Sequence, residues 1–246
     1  MCRGSKRSLG DQTAGAWLWA RRQGVISGVA ASALHGAPWV DADTPIELNW
    51  GNGRPPPGVV VRHDVLRADE VTKINGLPVT SLARTAYDVA RYLPRTEALQ
   101  RLDALMWATS FSREDVALIA KRNQGARGLR QLRELLPLVD GGAASPQETW
   151  LRLLLIDEGF PIPQTQIPVR DDQTIIGWLD MGWEDVLVGV EYDGAHHQKV
   201  RRHYVKDRKR SRAIDDLRWN VVSVIAEDRR PDIVARVRTA RLQSRR

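Results

Sequence analysis

The feature that most constrains this chain is a change of hydrophobic period past its middle. The turn Asp140-Gly141-Gly142 ends a long helical pattern and marks a domain boundary. Ser145-Pro146-Gln147-Glu148 follows, with Ser at the N-cap, Pro at the first helical position and Glu at the third, which is the signature of a capping box. It opens the helix TWLRLLLIDEGF. The period then shortens to two, with strands at 165–169, 175–181 and 186–193. A basic helix from about Arg201 to Leu217, a strand at 219–225 and a last helix from Pro231 complete the order α-β-β-β-α-β-α. Residues 145–246 thus read as one α/β domain.

Acidic residues sit at fixed places in that order. A turn near Glu184-Asp185 makes the second and third strands a hairpin and brings Asp180 within about two residues of facing Glu191. Alternation along the third strand points Glu191 and Asp193 to one face and Val188, Val190 and Tyr192 to the other. Three carboxylates converging at a strand end repel one another unless a proton or a divalent cation intervenes, and an oxygen-rich cluster suits Mg²⁺ or Mn²⁺. A solvated strand end, salt-bridged to nearby arginines, accounts for the same residues. The next segment, KVRRHYVKDRKRSR (199–212), carries eight Lys and Arg against Asp207 alone. On a helix beside the acids, Arg201, Arg202, Lys206, Arg208, Lys209 and Arg212 either track phosphates or face solvent.

The earlier part is less regular. Residues 1–12 (MCRGSKRSLGDQ) are polar and basic without period and are expected to be a disordered start, with ordered structure from Thr13. Trp17, Leu18, Val25, Ile26 and Val29 suggest two short helices meeting near Gly24, the second closed by His35-Gly36. Strands are expected at PIELNW and at VVVR, separated by the loop RPPPG. LPVT leads into Ser81, an N-cap for SLARTAYDVARYL, on which Arg84 and Asp88 form a surface salt bridge. The leucines between Thr96 and Leu138 predict a helical connector.

Composition narrows the function classes. A formal charge of +7 and a pI near 10.0 favour a polyanionic partner, with nucleic acid first. Cys2 is the single cysteine, which excludes an internal disulfide or a multi-thiolate zinc site and points to the cytoplasm. No apolar run approaches the ~18 residues of a membrane span.

VGVEYDGAHH followed by YVKDRKR, WNVVSV and AEDRRPDIV resembles the endonuclease-like domains related to the very-short-patch repair endonuclease, within the PD-(D/E)XK superfamily. The resemblance covers about 100 residues and implies a restriction-endonuclease-like α-β-β-β-α-β core. It makes Asp180 and Glu191 the metal-binding acids, puts Asp193 where a Lys is usual, and matches His197, Asp207 and Arg210 to the family's histidine and acidic-basic pair. Glu148 matches a metal-supporting acid, although capping explains it. Arg218 stands where a Gly usually precedes the Trp, and Ser223 where an Arg usually sits. Farther upstream, SGVAASALHGAPW and GLPVTSLARTAYDVAR resemble the central part of AbiEi-type antitoxins and related regulators, often fused to such a nuclease-like domain. That resemblance covers 13–140 as an α+β and helical region and implies a partner of toxin-antitoxin type. A winged helix usually precedes this part; with the chain beginning at or beyond it, a groove-reading helix is not expected.

Two functions follow. The leading expectation is a Mg²⁺-dependent endonuclease acting on DNA: Asp180, Glu191 and Asp193 hold the metal, His197 with Lys206 or Lys209 orients water or protonates the leaving group, and Arg210 holds the phosphate. The alternative is a non-catalytic DNA-binding or antitoxin-like regulator that keeps a nuclease fold.

Overall fold

The structure is a computed structural model and describes residues 8–51, 53–194, 210 and 212–244. The chain divides into two compact units, residues 1–141 and 142–246.

The first unit starts earlier than its composition suggests. Helix α1 (Leu9–Trp19) is opened by Ser8, whose side chain accepts from the Asp11 N–H while the Asp11 carboxylate accepts from Ser8. This reciprocal cap, hidden in an otherwise polar run, orders residues expected to be disordered. Val25–Ser27 is not the start of a second helix but strand β1. It lies in the middle of the sheet, paired antiparallel with β2 (Ile46–Asn49) and parallel with β5 (Leu77–Thr80), and that pairing overrides the local helical pattern. Gly28 at φ +60 lets α2 (Gly28–Leu34) begin directly at the strand end; a Cβ there would overlap the Glu47 carboxylate.

Strand β3 (Val59–Arg62) pairs with β2 in parallel, Ile46 opposite Val59 and Asn49 opposite Arg62, so the Pro-rich loop carries the chain back along the strand. Strand β4 (Val71–Ile74) joins β5 through Asn75-Gly76, whose φ values of 51° and 80° fit the tight hairpin turn that this dipeptide favours. The sheet order is β3-β2-β1-β5-β4.

Helix α3 (Leu82–Tyr92) is capped by Ser81 as expected. The Arg84–Asp88 pair, however, is not on the surface: Arg84 is 1% and Asp88 3% exposed, because the helix packs that side inward. The stretch from Thr96 to Leu138 is helical as its apolar spacing predicts, in α4 (Arg95–Thr109), α5 (Arg113–Arg122) and α6 (Leu129–Leu135). Leu99, Leu102, Leu105, Val116, Leu132 and Leu135 are all buried, which makes these helices part of the first unit's core.

The second unit opens with α7 (Pro146–Asp157), capped by Ser145. Strands β6 (Gln164–Asp171), β7 (Thr174–Trp183), β8 (Val188–Tyr192) and β9 (Asn220–Val224) form a sheet in that order. The first two pairings are antiparallel and β8–β9 is parallel. Arg210 and residues 212–216 are helical, and α8 (Arg230–Gln243) ends the chain of elements. One core joins α7 and α8 to Met181, Trp183, Val188, Val190 and Val224. A second gathers Ile167, Val169, Leu179, Ile214 and Trp219. The unit is therefore mixed α/β, with its sheet between two apolar layers.

Candidate functional site

Asp180 stands where β7 departs from regular alternation. Leu179 and Met181, two residues apart, should share a face, yet they belong to different cores. The β7–β8 register runs from Trp183 opposite Val188 to Met181 opposite Val190, and one step further along brings Asp180 beside Glu191. There the Tyr192 N–H donates to Asp180 Oδ2 at 2.8 Å, so a side chain takes a bond that a strand carbonyl would otherwise accept.

The third carboxylate of this cluster is Glu148. It performs its capping role through both oxygens: Oε2 accepts from the Ala144 N–H at 2.8 Å and Oε1 from the Ser145 hydroxyl at 3.0 Å. Burial raises its pKa, and those two hydrogen bonds oppose the rise. Its charge also reaches Asp180, whose pKa is pushed up to about 7, mainly by burial and then by Glu148, with a smaller push from Glu191. The Tyr192 hydrogen bond and Arg210 pull the other way. A carboxyl group that holds or releases its proton near neutrality is the chemical product of this arrangement.

Glu191 is engaged differently. Arg210 donates from Nη2 to Glu191 Oε1 at 2.5 Å and to the Trp178 carbonyl oxygen. The guanidinium lies across β7 at Gly177, where any Cβ would overlap Arg210 Nε. In the β8–β9 register Glu191 stands opposite Ser223, so the cation beside Glu191 is supplied by the helical stretch at Arg210 and not by β9. Arg218 has φ 64°, the left-handed conformation that favours Gly.

Asp193 is exposed, and its N–H donates to the Val224 carbonyl at 2.7 Å. Arg212 is exposed on the helical stretch. His197, Asp207, Arg201, Arg202, Lys206, Arg208 and Lys209 lie outside the described residues. Among the described residues no three His, Cys, Asp or Glu side chains are gathered closely enough to hold one metal ion. Asp180 and Glu191 are thus neighbours as expected, Glu148 joins them through a charge that its capping motif concealed, and their described partners are a backbone N–H and a guanidinium.

A family model of the AbiEi antitoxin C-terminal domain matches residues 25–138, which fall wholly within the first unit. Proteins described as uncharacterized in two strains of Mycobacterium tuberculosis are each 31% identical over 175 residues, which is 71% of this chain and 64% of theirs. The chain therefore spans somewhat less than two thirds of those relatives. No solved structure matches. The molecule is a mixed α/β protein of two units, the first of which is similar to the AbiEi antitoxin C-terminal domain over residues 25–138. No described helix is long and apolar enough to cross a membrane.

Proposed function

We propose that the protein is an antitoxin-like regulator: the first unit acts on a toxin-type protein partner, and the second keeps a restriction-endonuclease-like fold as a non-catalytic, basic module that contacts nucleic acid. The observation that carries this reading is the antitoxin-domain match over 25–138, on a unit that folds around its own core. The site in the second unit supports the same reading, because Glu191 is occupied by Arg210 and Asp180 by the Tyr192 N–H.

Growth rescue tests this function. The full chain is co-expressed with the product of the neighbouring gene when that product arrests growth; restored growth supports the reading, and unrelieved arrest at equal expression contradicts it.

A second reading, a metal-dependent nuclease, rests on the adjacency of Asp180 and Glu191 with Glu148 behind them. On that reading Asp180 and Glu191 would hold Mg²⁺ or Mn²⁺, which would polarise a phosphate and acidify water, and Arg210 would have to leave Glu191 for a substrate phosphate.

A further inference from the structure

A cavity of about 430 Å³ lies in the first unit between helix α5 and the end of α6, where the chain passes into the 3₁₀ turn Leu136–Leu138, and it falls within the size range of small-molecule sites. Short side chains open it: Ala117 and Ala120 leave unfilled the space that a larger apolar residue on α5 would occupy. Ala117 and Pro137 are exposed and form apolar walls, while Ala120 and Leu136, 4% and 9% exposed, close the floor.

The charged groups around this floor are unequal. Three cations, Arg113, Lys121 and Arg133, line the cavity against one acid, Glu114, which already accepts from the Ser112 hydroxyl at 3.2 Å. Engagement separates the cations further. Arg122 and Arg130, outside the lining, are each held by an acid, Asp69 at 2.6 Å and Glu134 at 3.0 Å. Lys121 and Arg133 belong to the lining, are exposed, and take part in no hydrogen bond or ion pair among the described residues. Their charged ends are thus available to an anion, and their methylene stems add to the apolar wall.

The shape of the site narrows the ligand. From Arg113 to Lys121 the lining follows α5 for ~12 Å, at 1.5 Å per residue. A compact inorganic anion would leave the apolar floor uncovered, and an organic cation would meet like charge from three side chains.

We propose that this cavity binds a small linear amphiphile with an anionic head, of the medium-chain carboxylate type, its head paired with Lys121 and Arg133 and its chain lying against Ala117, Leu136 and Pro137. The proposal does not depend on the antitoxin reading.

Isothermal titration of the full chain with octanoate tests it, with octylammonium, octanol and acetate as controls for the sign of the charge, the charge and the chain. The variants are Ala117→Leu, which fills the cavity, the double change Lys121→Gln with Arg133→Gln, and Arg130→Gln, at a cation outside the lining. The expected result is saturable binding of octanoate, at least tenfold tighter than that of any control. It should be lost in Ala117→Leu, weakened roughly tenfold in the double variant, as the loss of two exposed ion pairs requires, and unchanged in Arg130→Gln. Melting temperatures report whether each variant folds; if Ala117→Leu does not, the double variant decides. Absence of saturable octanoate binding, equal binding of octylammonium, undiminished binding in the double variant or in folded Ala117→Leu, or binding lost in Arg130→Gln overturns the proposal. So does an acidic amphipathic peptide that binds the parent and not Ala117→Leu while octanoate binds neither, which would make the groove a protein-docking surface.

Discussion

Both units bury carboxylates, but they compensate them differently. In the first, Arg84 and Arg91 lie inside the network and reach Asp64, Glu70 and Asp88, while Tyr87 takes cation-π contact from both guanidiniums. Asp88 shows the balance: burial drives its pKa up, Arg84 then Arg91 draw it part of the way back, and it stays raised, at about 6. The pairing raises the pKa of Arg84 in turn, so the ion pair is the favoured state and the network serves as architecture. In the second unit Arg210 is the cation beside Asp180 and Glu191, and of these two acids it hydrogen-bonds Glu191, besides the Trp178 carbonyl oxygen. Asp180 is left to resolve its burial by protonation. Buried acid is tied into ion pairs where guanidiniums are buried with it, and depends on a backbone N–H and a rim guanidinium where they are not.

The largest expected effect breaks the first network. Arg84→Ala strands two nearly inaccessible carboxylates, Glu70 and Asp88, and should cost about 3–5 kcal/mol in denaturant unfolding. A loss below about 1 kcal/mol, the range of an exposed pair, would return Arg84 to the surface role that the helical spacing suggests.

Asp180→Asn should act with the opposite sign. Because the folded-state pKa of Asp180, about 7, lies above its unfolded value, the native state binds the extra proton, and stability falls as pH rises from near 4 through 7. The Asn variant keeps an acceptor for Tyr192 and should be more stable than the parent by roughly 2 kcal/mol at pH 8, after allowance for partial exposure. The gain should vanish near pH 4. Equal stability differences at both pH values would show that Asp180 does not titrate as described.

Two smaller effects sharpen the contrast within the second unit. Ser145→Ala removes the cap of α7 and should cost about 1 kcal/mol, seen as a lower melting temperature. It should also release one of the hydrogen bonds that lower the Glu148 pKa. Arg218→Gly should instead stabilise by about 0.5–1 kcal/mol, since Gly adopts the left-handed conformation without a Cβ penalty. Destabilisation by that change would mean that the Arg218 side chain makes a contact worth more than the strain.

What could be read from the sequence was local. Ser81 and Ser145 announce their helices, and the turn at Glu184-Asp185 brings Asp180 beside Glu191. The missed signals fall into two groups. Some were legible and passed over: the Ser8–Asp11 capping box, and Asn75-Gly76 between β4 and β5. Others belong to tertiary structure. An i,i+4 Arg–Asp pair looks the same on a buried face as on an exposed one, and nothing near Arg84 in sequence foretells Glu70 or Asp64. Likewise the spacing of a capping Glu gives no hint that its charge will reach an Asp on a distant strand, as Glu148 reaches Asp180; the nuclease-like resemblance names Glu148, but capping is the preferred reading of it. Val25–Ser27 is a strand only because β2 and β5 flank it.

The most direct test of the central claim, that the second unit's acidic cluster is held in a non-catalytic state, is cleavage of supercoiled plasmid and labelled single-stranded DNA by the full chain with Mg²⁺, Mn²⁺ or EDTA, beside Asp180→Ala and Glu191→Ala. The account predicts no metal-dependent cleavage, while DNA still shifts on a gel in a salt-sensitive way. Cleavage that requires the metal and is lost in both variants would contradict it and establish the nuclease.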